Sequence, residues 1–135
     1  MKTTLLLVED SELLRVANAR VLTKAGYTVI SAEDDEQALR LAQECLPDLI
    51  LLDMLLPKLG GPQVLEALKK NPTTAHIPVI VLSSLSQSNE RRLKSDGAAA
   101  YFEKSRLESD PNWEPLIQKV ESILRLSGRN AAKCL

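Results

Sequence analysis

Short, almost purely apolar runs alternate along this chain with longer stretches in which apolar residues recur every three or four positions. Thr4 to Val8 is too short for a helix and is bounded by Glu9-Asp10-Ser11, so it reads as a fully buried strand. From Glu12 to Ala25 the residues Leu14, Ala17, Val21 and Ala25 recur at helical spacing, and Gly26 stops that helix just past its end. Tyr27 to Ser31 predicts a second strand, rich in β-branched residues. Asp34 or Asp35 can cap a second helix with an inward face of Ala38, Leu39, Ala42, Cys45 and Leu46, which Pro47 ends.

Leu49 to Leu52 is a third apolar run. Pro57 and Gly60-Gly61 mark a loop, Pro62 suits a first helical turn, and Val64, Leu65 and Leu68 face inward before Asn71-Pro72. Ile77 to Leu82 and Ala98 to Phe102 give a fourth and a fifth strand. The helix expected between them, Gln87 to Asp96, offers only Leu93 to a core and should be weakly anchored. A last helix starts near Trp113 and presents Leu116, Ile117, Val120, Ile123 and Leu124 on one face. Residues 1–127 thus form one domain, and 128–135, which lack periodicity, are expected to be a flexible tail.

Five strands, each followed by a helix, make an α/β protein with a parallel sheet covered on both faces. Right-handed crossovers leave few topologies, and a doubly wound sheet of order 2-1-3-4-5 fits. In that order the carboxyl ends of the first and third strands adjoin. Those ends carry Glu9, Asp10 and Asp53.

Composition narrows the picture less. The chain has 135 residues, 44% apolar and 26% charged, ordinary for a globular domain. A net charge of −1 provides no basic field for nucleic acid or an anionic membrane. The N-terminal apolar stretch is too short for a signal peptide, and no run has the length of a membrane span. Cys45 and Cys134 have no metal or redox spacing, so reduced thiols in a cytoplasmic protein are expected. His76, the only histidine, falls in a loop and reads as a surface residue.

The acidic trio changes the picture most. Carboxylates this close repel by roughly 4 kcal/mol per pair at an effective dielectric near 20, which a hard divalent cation relieves. Magnesium takes one or two carboxylates plus phosphate oxygens, matching a small open cluster. An aspartate beside it can attack a phosphoryl group. Ser83 and Lys104, just after the fourth and fifth strands, offer a hydroxyl and an ammonium to the same crevice.

Glu9-Asp10, Asp53 with Pro57 four on and Gly61 eight on, Ser83-Ser84, and Tyr101 three before Lys104 together resemble the receiver domain of bacterial two-component response regulators. No single element is specific; all of them in order are. The resemblance implies a flavodoxin-like (βα)5 fold and a stand-alone signalling module rather than an enzyme. It implies that Asp53 accepts a phosphoryl group from a sensor histidine kinase or a histidine phosphotransfer protein. It further implies Mg²⁺ held by Asp10, Asp53, the Leu55 backbone carbonyl and, through water, Glu9. Lys104 would contact Asp53 and the phosphoryl oxygens, while Ser83 and Tyr101 would form the switch. A downstream protein would bind the face made by the 87–96 helix, the fifth strand and the last helix, with the chain a monomer or weak dimer.

Two departures stand out. Receivers usually follow the lysine with proline, often across a cis bond, whereas Lys104 precedes Ser105, where a cis bond costs about 3 kcal/mol. Leu55 and Leu85 stand at the two positions that flank the hydrolytic water in the family, implying a shielded, long-lived phosphoryl-aspartate. Two other functions remain open. An aspartate-nucleophile phosphatase typically carries a second aspartate two residues on, where this chain has Leu55. A phosphorylation-independent receiver-like scaffold would leave the acidic pocket without a task.

Overall fold

The computed structural model describes residues 3–53, 61–83, 97–103 and 113–126. Its sheet has five parallel strands in the order β2-β1-β3-β4-β5: β1 Thr4–Val8, β2 Thr28–Ala32, β3 Leu49–Asp53, β4 Val79–Ser83 and β5 Ala100–Glu103. The expected order is therefore the observed one. Four helices belong to the described residues: α1 Glu12–Lys24, α2 Asp35–Cys45, α3 Gly61–Lys70 and α4 Glu114–Leu126. The helix expected over 87–96 and the tail 128–135 lie outside them.

Alternation along each strand sends successive side chains to opposite faces, so the sheet carries two cores. Leu6, Ile50, Val79 and Tyr101 meet α2 and α3 through Ala38, Ala42, Val64, Leu65 and Leu68. Leu5, Leu7, Leu49, Leu51, Ile80 and Phe102 meet α1 and α4 on the other side. From α4 come Leu116, Ile117, Val120, Ile123 and Leu124, the face expected from the sequence. Every residue of β3 is buried, which explains why its run lacks any polar alternation.

Local chemistry sets the helix ends. Ser11 caps α1, its Oγ accepting from the Leu14 N–H at 3.4 Å. Asp34 rather than Asp35 caps α2, accepting from the Gln37 N–H at 2.8 Å, and the Gln37 Oε1 accepts from the Glu33 N–H at 2.9 Å. Gly26 follows the α1 cap at φ +106°, a conformation that costs glycine little.

Two expected helix faces are corrected. In α1 the inward residue is Leu22, with Ala19 and Val21 partly buried beside it; Leu14, Ala17 and Ala25 are exposed. Leucines and valines occur on several sides of this helix, so spacing alone selects no unique stripe. In α2, Ala38, Ala42 and the partly buried Leu39 hold the inward face, but Cys45 and Leu46 are exposed. Leu46 adopts the left-handed conformation at φ 45° as the C-cap, which turns it away before Pro47.

Candidate functional site

Because all five strands are parallel, their carboxyl ends share one edge of the sheet, and β1 lies directly beside β3. Val8 pairs with Leu52, so the residues that follow each of them are neighbours. Glu9 and Asp53 are 3% and 2% exposed, whereas Asp10 is exposed at the rim. One carboxylate oxygen from each of Glu9, Asp10 and Asp53 lies within 4.8 Å of the others. This is the trio expected from the sequence. Its two buried members are shielded from water, so their charge calls for a cation more strongly than surface acids do.

The neighbouring strands extend the crevice. Asp53 pairs with Leu82, which places Ser83 one residue further along β4, and Ser83 pairs with Glu103 on β5. Lys104 comes next in the chain and, like Leu55, Pro57, Ser84, Leu85 and Ser105, lies outside the described residues. Tyr101 pairs with Val81 two residues before that edge, and the residue is 4% exposed within the core shared with α3.

A family model for the response regulator receiver domain matches residues 5–110. The chain belongs to that family. This receiver domain is 35% identical over 105 residues to the polar-differentiation response regulator DivK of Brucella anthropi, covering 77% of this chain and 85% of DivK. It is 41% identical over 103 residues to the gliding motility regulatory protein of Myxococcus xanthus, covering 76% of this chain but only 13% of that protein. The Mn²⁺-bound form of response regulator Rcp1 superposes with a TM-score of 0.73 at 32% identity, covering 89% of this chain and 92% of Rcp1. The receiver domain thus has the flavodoxin-like doubly wound fold and is a signalling module of two-component systems. Its acidic pocket fits a divalent cation by donor chemistry: three hard carboxylate oxygens, close together, two of them poorly hydrated. Among the described residues no helix is long and apolar enough to cross a membrane.

Arg15 is a site neighbour that the sequence reasoning missed. Its Nη1 donates to the Glu9 carbonyl at 3.0 Å, and its Nη2 lies 3.8 Å from Glu33 Oε2. The signal was present in the sequence as a basic residue in the opening turns of α1, the end of a helix where its dipole disfavours a cation.

Proposed function

We propose that this receiver accepts a phosphoryl group on Asp53 from the phosphohistidine of a sensor histidine kinase or histidine phosphotransfer protein, and thereby changes its binding to a second protein. The observation that carries this reading is the close approach of the Glu9, Asp10 and Asp53 carboxylates at the adjoining ends of β1 and β3. An Asp53 oxygen attacks phosphorus as the N–P bond breaks, and the departing imidazole keeps the electron pair. Asp10, Asp53, Glu9 and the Leu55 carbonyl would hold Mg²⁺, which when bound neutralises charge on the phosphoryl oxygens. Lys104 and Ser83 donate to those oxygens. Ser83 and Tyr101 carry the change to the face formed by residues 87–96, β5 and α4, where the downstream protein binds.

The acceptor stands beside the exposed start of α1, where Leu13 is 80% exposed and Val16 52% and the helix begins two residues after Asp10. The near-zero net charge and the absence of a basic run fit a protein partner in the cytoplasm rather than nucleic acid or membrane. A signalling switch, not turnover of a free substrate, is the function of the site.

Intact mass after treatment with acetyl phosphate tests the proposal. Wild type is expected to gain one phosphoryl group only with Mg²⁺, and Asp53→Ala none. An adduct that survives in Asp53→Ala, or none on wild type, overturns the reading and leaves the scaffold function. The lifetime of the adduct tests the shielding assigned to Leu55 and Leu85: decay within seconds rules it out.

A further inference from the structure

Asp10 is the exposed member of the acidic trio. The backbone it hangs from sets where its carboxylate can reach. That backbone is clamped on both sides of Glu9. The Glu9 N–H donates to the Ala32 carbonyl at 3.0 Å, and the Glu9 carbonyl, one half of the Glu9–Asp10 peptide, accepts from Arg15 Nη1 at 3.0 Å. The guanidinium also faces Glu33 Oε2 at 3.8 Å, and its side chain is only 17% exposed. Glu33 is itself fixed through its N–H to Gln37 in the α2 cap.

We infer that Arg15 is a positioning residue for the cation site: by gripping the Glu9 carbonyl from α1 it fixes the Glu9–Asp10 peptide, and so aims both carboxylates at Asp53. The inference rests on the reading of the trio as a metal site. Arginine suits the task because one planar fork can serve a carbonyl and a carboxylate together, which a lysine ammonium does less well. Residues that orient ligands without touching the metal typically change affinity ten- to a hundredfold when removed.

The alternative is that Arg15 is a structural pin whose charge merely lies near the acids, and the two make opposite predictions. Removing a cation beside an acidic cluster favours Mg²⁺, so charge alone tightens binding in Arg15→Met, a variant that keeps most of the aliphatic stem. Loss of positioning weakens it. Calorimetric Mg²⁺ titration, with no phosphoryl donor present, distinguishes them. Arg15→Met is expected to raise the Mg²⁺ dissociation constant at least tenfold and to shift the Asp10 amide resonance before any metal is added. Arg15→Lys is expected to fall between wild type and Arg15→Met. Glu33→Gln, which leaves the carbonyl contact in place, should change the constant by less than threefold.

Equal or tighter binding in Arg15→Met overturns the inference. So does weakening in Glu33→Gln as large as in Arg15→Met. If Arg15→Met does not fold, Arg15→Lys decides: an affinity equal to that of wild type refutes the positioning role. Wild type that binds no Mg²⁺ refutes instead the metal-site reading on which the inference depends.

Discussion

Gly97, three residues before the start of β5, supports a worked prediction. Its φ of +113° is disfavoured for any side-chain-bearing residue. A Cβ there would lie 2.8 Å from Lys69 Cγ and 3.3 Å from Cδ. Lys69 cannot simply swing aside, because its Nζ donates to the Ala75 carbonyl at 3.1 Å and the Ile77 carbonyl at 2.8 Å. Gly97→Ala therefore carries backbone strain of about 1–3 kcal/mol. It also costs the loss of one charged hydrogen bond, about 1.5–3 kcal/mol. Gly26→Ala is the control, with φ +106° and nothing within 4 Å of the added Cβ. Urea unfolding of both variants should show Gly97→Ala losing about 1.5 kcal/mol or more beyond Gly26→Ala. In a Lys69→Ala background that excess should vanish, because the obstructing side chain is gone. An equal cost in the two glycine variants, or an excess that persists without Lys69, refutes the reasoning.

Other outcomes follow from the same geometry. Leu22→Ala should cost about 2–5 kcal/mol and Leu13→Ala less than about 0.5, since Leu22 is fully buried and Leu13 is 80% exposed; denaturant midpoints check this assignment of the α1 face. Asp10→Asn should raise stability by about 1 kcal/mol in chelator by relieving repulsion within the trio, whereas wild type alone gains stability when Mg²⁺ is added, about 2.7 kcal/mol at a hundred times its dissociation constant. Burial, and then the nearby Glu121 charge, hold the Tyr27 hydroxyl above its usual 10.0. The folded state therefore binds more protons than the unfolded one above pH 10, so stability present below that pH falls as pH rises through the folded value. Tyr27→Phe should flatten that alkaline decline in thermal unfolding.

The sheet order and the acidic trio were legible because buried parallel strands must be continuous apolar runs, and a carboxylate ending such a run is unmistakable. The face of α1 was not, because the polar residues Arg15 and Asn18 are half-buried while Leu13, Leu14 and Val16 are exposed, so apolar spacing does not mark the inward side. Cys45 and Leu46 escaped for a different reason: a left-handed cap at Leu46 is set by the chain's turn into β3 and not by its side chain. Ser83, expected just after the fourth strand, is the last residue of β4, and Lys104, Leu55 and the 87–96 helix are expectations that lie outside the described residues.

The place of β1 between β2 and β3 has a consequence for how the molecule assembles. Strands β2, β1 and β3 are contiguous both in space and among the first 53 residues, and all three carboxylates belong to that half-sheet. The electrostatic penalty of the pocket therefore falls within that half-sheet and does not involve β4 or β5. If that half forms the folding nucleus, a divalent cation will lower the barrier and raise the refolding rate. If the nucleus lies in the C-terminal half, the same cation will slow unfolding and leave the refolding rate unchanged.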